Sequence, residues 1–257
     1  MRAPPEGARS RLGIQKLDIR SRLVSRICAI QTLMIEKQVP NLAEAIDGIR
    51  SGATVLVGGF GDAGTPVALL EALLENDIRE LTIVANNAGS GNRGLESLLR
   101  EGRVRKVICS FPRSKGSVWF ERRYLANEVE LEVVPQGTLT ERIRAAGAGI
   151  GGFFTSTGVG SELASGRETR MIDGREYLFE TPLFGDVALI KAQRADRWGN
   201  LAYHASGRNY GPTMAAAAQL TVVQVDEIVP LGSIDPENVV TPGVLVDRVV
   251  KVEVGKK

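Results

Sequence analysis

Thirteen residues constrain this chain more than any others: Thr54-Val55-Leu56-Val57-Gly58-Gly59-Phe60-Gly61-Asp62-Ala63-Gly64-Thr65-Pro66. The apolar, β-branched opening predicts a buried strand. Gly58, Gly59, Gly61 and Gly64, with Phe60 among them, then break it. Thr65 predicts an N-cap and Pro66 the first helical position. The helix that follows carries Leu69, Leu70, Leu73 and Leu74 at helical spacing. Backbone amides of such a loop, together with the helix dipole, suit an anion or a developing oxyanion. The string Gly59-Phe-Gly61-Asp-Ala-Gly64 also satisfies G-x-G-x-x-G. Its context argues against a dinucleotide. The third glycine precedes the helix, and the second strand, Leu81 to Ala85, ends in Asn86-Asn87 where an acid should hold the ribose.

The chain that surrounds this stretch repeats its pattern. Asn41 with Glu44 predicts a capping box for a helix with Leu42, Ile46 and Ile49 on one face, ended by Gly52. Polar, glycine-rich loops follow three further strands: Asn86 to Asn92, Ser110 to Gly116, and Pro135-Gln136-Gly137. Thr138 with Glu141 predicts a second capping box for Leu139 to Ala145. Four βα units with short connections predict an α/β fold, an open, doubly wound, mostly parallel sheet with helices on both faces. All these loops then lie at the carboxyl edge, where open α/β sheets bind ligands. Gly147 to Gly160 is expected at the same edge. Asp173-Gly174 predicts a hairpin between Glu168–Ile172 and Arg175–Glu180, a small β-hairpin region. Val187 to Ala192, a turn at Asp196 to Asn200, helix Thr213 to Ala218 and strand Leu220 to Val225 complete the core.

At 257 residues the chain is long enough for a large core, and its formal charge of +2 conceals an asymmetry. Residues 1–33 hold seven basic side chains against Glu6 and Asp18, a net +5, which leaves −3 for the remainder. We read 1–33 as a basic extension outside the fold, disordered or translated from an upstream start, with Met34 the natural beginning. A transit peptide is the alternative. One domain then spans 34–257. The remainder offers no basic face for nucleic acid. No apolar run reaches transmembrane length, so no membrane association is expected. Cys28 and Cys109 are far apart and have no metal-ligand spacing, which fits a reducing, cytoplasmic setting. Cys109, at a strand end, reads as a buried small hydrophobe.

A reactive centre is missing. His204 is the single histidine and reads as a structural or surface imidazole. There is no G-x-S-x-G elbow, no H-E-x-x-H and no P-loop lysine, so neither a hydrolase nucleophile nor a metal is expected. The predicted edge instead gathers Gly59, Gly61, Asn86, Asn87, Gln136 and Gly137. Carboxamides and bare backbone can donate to a carbonyl or carboxylate but supply no nucleophile. The alternative is that Asn87 and Gln136 only satisfy loop backbone. Either way the chain looks like half a site.

Several motifs carry a family likeness. Ala53 to Pro66, Asn86-Asn-Ala-Gly89, Val134 to Arg144, Asp196-Arg-Trp-Gly-Asn200 and Ala205-Ser-Gly-Arg-Asn-Tyr-Gly-Pro212 resemble, in order, the α-subunit of family I CoA-transferases. The likeness runs from about Met34 to Val252. Lys106 to Arg113 and Gly149 to Gly158 look most like the 3-oxoadipate branch, within the succinyl-CoA:3-oxoacid enzymes. The resemblance implies transfer of CoA from succinyl-CoA to a 3-oxoacid, above all 3-oxoadipate. Acetoacetate or another short-chain acid is the nearer alternative, and a sugar-phosphate or CoA-ester sensing module the more distant one. It also implies that coenzyme A enters as a thioester substrate, with no permanently bound cofactor. The nucleophilic glutamate would come from a Ser-Glu-Asn-Gly motif of a separate β-subunit, in a heterodimer or heterotetramer. Ser161-Glu162 continues as Leu163-Ala164, so Glu162 does not match that motif. Asn86, Asn87 and Gln136 match family residues that line the acyl pocket. Arg113, with Lys115 behind it, is expected to grip a distal carboxylate, a solvated loop charge being the alternative.

Overall fold

The computed structural model describes residues 35–114 and 116–253. The basic segment 1–33, its Cys28, Met34 and Lys115 lie outside the described residues. Nine strands form the main sheet: β1 (Gln38–Val39), β2 (Thr54–Val57), β3 (Leu81–Asn87), β4 (Val104–Phe111), β5 (Glu130–Val133), β9 (Gly185–Ala195), β10 (Leu201–Ala202), β11 (Ala218–Ile228) and β12 (Arg248–Lys251). Their order is β1-β12-β11-β9-β2-β3-β4-β5, all parallel, with β10 antiparallel on β9.

Period-two alternation explains why both faces of this sheet are covered. Val55 and Val57 enter one core and Leu56 the other; Ile83 and Ala85 are set against Val84, and Val107 and Cys109 against Ile108. Helices α1 (Leu42–Ile46), α2 (Val67–Glu75), α3 (Leu95–Arg100) and α4 (Trp119–Leu125) cover the first face through Ile46, Leu69, Leu73, Leu98 and Phe120. Helices α5 (Gln136–Gly147) and α6 (Gly211–Ala217) cover the second through Leu139, Ile143 and Met214. Each fully buried leucine contributes about 1.5–3 kcal/mol of apolar burial. The doubly wound parallel sheet is thus as expected.

Strand order reverses at β2. From it the chain steps outward through β3, β4 and β5, while β9, β11 and β12 occupy the other side. Such a reversal leaves a crevice at the carboxyl ends of the strands.

Asn41 caps α1 as expected: its Oδ1 accepts from the Glu44 amide at 2.8 Å and its Nδ2 donates to Glu44 Oε1 at 3.0 Å. Several local expectations need correction. Helix α1 stops at Ile46, and Ile49 is buried beyond it. Thr65 does not cap α2, because its hydroxyl donates to the Gly61 carbonyl at 2.9 Å. The free amides of Ala68 and Leu69 instead meet Gln224 Oε1 of β11, at 3.0 and 3.3 Å. A tertiary contact has taken over a local cap. The Thr138–Glu141 box does not form either. Helix α5 begins three residues earlier, at Gln136, and Thr138 is buried with its hydroxyl unpartnered among the described residues.

Gly147 to Gly160 does not join the carboxyl edge. Helix α5 runs back from the end of β5, and a Cβ on Gly147 would meet Ala216, just before β11 begins. The segment then enters a separate three-stranded antiparallel sheet of β6 (Phe153–Thr155), β7 (Thr169–Ile172) and β8 (Arg175–Glu180), in the order β6-β8-β7. The β7–β8 turn is Asp173-Gly174, with φ of 49° and 76°, as the hairpin signal requires.

Candidate active site

Two cavities open at the carboxyl edge and share Gly61, Asn86 and Asn87. The first, of about 390 Å³, lies between the glycine loop and the segment after β3. The second, of about 470 Å³, is lined by Phe60, Gly61, Asn86, Asn87, Ser110, Phe111, Ser114 and Gln136. Parallel pairing puts these residues together, since β2, β3, β4 and β5 end side by side.

Three carboxamides face the second cavity with donors to spare. Asn86 is buried, and its Oδ1 lies 3.2 Å from the Ser110 hydroxyl and 3.5 Å from that of Tyr210. The Ser110 hydroxyl also donates to the Asn86 carbonyl at 2.9 Å. Asn87 Oδ1 accepts from the Gly89 amide at 2.9 Å, a local turn. Gln136, exposed, is the first residue of α5, so it adds the amino end of a helix to the cavity. Among the described residues none of the three Nδ2 or Nε2 groups has a protein acceptor. This arrangement can bind a carboxylate or stabilise an oxyanion.

The glycine loop works differently from the sequence expectation. Three of its amides are directed into the protein: Gly58 donates to Leu189 at 2.9 Å, Gly59 to Asn209 Oδ1 at 2.9 Å, and Phe60 to Ala63 at 3.0 Å. These three are therefore not free for an anion. The loop instead presents the Phe60 ring, half exposed, as a wall of the second cavity. Gly59 and Gly64 are required by close approach. Their φ values are +126° and +73°, and an added Cβ would lie 2.3 Å from Thr65 Oγ1 and 2.3 Å from the Gly207 carbonyl, respectively.

Arg113 is not brought into either cavity. Its guanidinium is exposed and pairs with Glu121 at 2.6 Å. Glu162 starts an exposed 3-10 turn, Glu162–Ala164, apart from the cavity. His204 is exposed and lines a different hollow, beside the Lys191–Asp226 pair. Cys109 is fully buried, and burial pushes its thiol up to about 12, so it is not a nucleophile at neutral pH. No cluster of His, Cys, Asp and Glu among the described residues could hold a metal, and no described helix is long and apolar enough to cross a membrane. Sequence reasoning placed the Ser110 loop at this edge without giving Ser110 a role, and missed Asn209 and Tyr210 as parts of it. Asn209 and Tyr210 lie inside the motif Ala205 to Pro212, which carried the family likeness but no assigned role.

Comparison with known proteins agrees with this geometry. The family model described as coenzyme A transferase matches residues 39–252. The chain is 55% identical over 219 residues to the 3-oxoadipate CoA-transferase α-subunit of Pseudomonas putida, covering 85% of this chain and 95% of that protein. It is 48% identical to the succinyl-CoA:3-ketoacid coenzyme A transferase α-subunit of Xanthomonas campestris pv. campestris, over 83% of this chain and 88% of the relative. Among solved structures, an acyl-CoA transferase from Escherichia coli O157:H7 superposes with a TM-score of 0.74 at 24% identity. That match covers 84% of this chain but 47% of the other, so this chain spans about half its length and the likeness speaks for the fold alone.

Proposed function

This chain belongs to the coenzyme A transferase family, and from that premise we propose that it is the α-subunit of an enzyme moving CoA from succinyl-CoA to 3-oxoadipate. The cavity at Phe60, Asn86, Asn87 and Gln136 carries the reading, because it offers carboxamide donors while none of its lining residues is a base that could activate Ser110 or Ser114. A separate β-subunit supplies the glutamate. Its carboxylate attacks the thioester carbonyl, CoA thiolate leaves, and an acyl–glutamyl anhydride forms. The thiolate then attacks the glutamyl carbonyl and releases succinate, leaving a glutamyl-CoA thioester. Acceptor carboxylate reverses the sequence and departs as its CoA ester. Each tetrahedral step places a negative oxygen where the carboxamides of Asn86, Asn87 and Gln136 can donate to it. Coenzyme A is substrate throughout, and the assembly is a heterodimer or heterotetramer. A cytoplasmic setting belongs to the same reading, resting on the distant Cys28 and Cys109.

The direct test is reconstitution. Purified alone, the chain is expected to transfer no CoA. Mixed with its cognate β-subunit, it is expected to turn over succinyl-CoA with 3-oxoadipate. Full turnover by the isolated chain, or none by the mixture, would count against the proposal.

Acceptor choice is a second, finer proposal. Arg113 sits on the loop after β4, and its pair with Glu121 is solvent-exposed and therefore cheap to exchange. A distal carboxylate on the acceptor could replace Glu121. Arg113→Ala is then expected to raise KM about tenfold for 3-oxoadipate and leave acetoacetate unaffected, the loss of one charge-assisted contact. Equal effects on the two acids would remove Arg113 from the site.

A further inference from the structure

The motif Ala205 to Pro212 has no role in the chemistry above, yet it touches both walls of the acyl cavity. Its centre is Asn209, whose carboxamide uses every hydrogen-bonding position it has. Oδ1 accepts from the Gly59 amide at 2.9 Å and the Tyr210 amide at 2.7 Å. Nδ2 donates to the carbonyls of Ala63 at 2.9 Å and Ser206 at 3.0 Å. All four partners are backbone groups of fixed polarity, so only one orientation of the side chain satisfies them. Both ends of the turn that carries Phe60 are therefore gripped by one residue. The next residue, Tyr210, is buried, and its hydroxyl has a single partner among the described residues, Asn86 Oδ1 at 3.5 Å.

We propose that Asn209 and Tyr210 are positioning residues for CoA transfer. Asn209 sets the glycine loop and Tyr210 sets the Asn86 carboxamide. Being adjacent in sequence, they hold the Phe60 wall and the Asn86 donors at one spacing. The inference rests on the function proposed above and adds to it the device that keeps the donors aimed. A tightly held donor gains because it needs no reorganisation as charge develops, and a small misplacement loses that gain.

Two variants, each assembled with the β-subunit, test this. Tyr210→Phe removes one oxygen and keeps the packing of the ring. It is expected to lower kcat about fivefold to tenfold, the scale of one hydrogen bond, with KM for succinyl-CoA changed by less than about twofold. In an Asn86→Ala background the same change is expected to cost less than about twofold, because Tyr210 acts through Asn86. A merely structural tyrosine would cost the same in both backgrounds. Asn209→Ala is expected to speed hydrogen exchange at the Gly59 amide by about tenfold or more, as its acceptor is gone. Unchanged kcat in Tyr210→Phe, equal losses in the two backgrounds, or unchanged exchange at Gly59 would each overturn the proposal. If Asn209→Ala does not fold, the Tyr210→Phe pair of measurements decides alone. An inactive wild-type assembly would instead remove the proposed function, so the two failures are separable.

Discussion

Replacing Asn86 by alanine is expected to lower kcat by about 10² to 10³, the loss measured when one preorganised oxyanion donor is removed. Three features make Asn86 the most sensitive of the three carboxamides. It is buried, so its donors act where water competes least. It is the next-to-last residue of β3, a parallel strand flanked by β2 and β4, and the β4 pairing on either side of it, at Ala85 and Asn87, holds its backbone. Its oxygen end is occupied by Ser110 and Tyr210, which leaves the nitrogen end for the cavity. Alanine also leaves the buried Tyr210 hydroxyl without an acceptor, costing about 1–3 kcal/mol of stability, whereas Ser110 keeps the Asn86 backbone carbonyl. Asn86→Asp separates the effects. It keeps the acceptor for both hydroxyls but loses the donors and sets a negative charge against a carboxylate substrate. Both variants should lose activity, while only alanine should lower Tm. A kcat within about threefold of wild type in both would exclude Asn86 from oxyanion stabilisation.

Gly64→Ala carries the largest expected loss of stability. Its φ of +73° is a left-handed conformation that costs a residue with a Cβ about 1–2 kcal/mol. The added atom would lie 2.3 Å from the Gly207 carbonyl and 2.8 Å from Asn209 Nδ2. One of these is backbone and the other is held by four hydrogen bonds, so neither can yield cheaply. Overpacking of this kind adds about 1–3 kcal/mol. Together, about 2–5 kcal/mol should appear as a fall in Tm of roughly 5–15 °C for a fold of this size. Gly61→Ala is the control, since its φ is +60° but nothing lies within 4 Å of an added Cβ. It should cost only the backbone strain, about 1–2 kcal/mol. Equal shifts in the two variants would mean that the contact with Gly207 and Asn209 is unimportant.

The residues that sequence reading placed well are those whose signals are short-ranged. A β-branched run followed by glycines identifies β2 and its loop, and the Asx and glycine preferences of Asn41 and Asp173-Gly174 fall within four residues of their partners. Asn86, Asn87 and Gln136 converge because each follows an apolar run, and parallel neighbours end at one edge. The errors have a common origin. Thr65 and Thr138 each met the local requirements for a cap, but the open amides of α2 found Gln224, 156 and 155 residues away, and α5 simply began earlier. The glycine segment 147–160 has the composition of a binding loop, yet α5 carries it to the opposite end of the sheet.

Composition, period and turn chemistry by themselves determined a doubly wound α/β sheet and a carboxyl edge rich in donors, without a nucleophile among the motifs. They did so because backbone preference and burial alternation act over a few residues. Which groups actually face the cavity was decided only by the tertiary structure. The loop from Gly58 to Gly64 reads locally as an anion site, but Asn209, 150 residues from Gly59, takes up its amide and makes the loop a wall. Hydrogen-bond donors of the backbone must be satisfied, and the partner that satisfies them is whichever the strand order brings within about 3 Å.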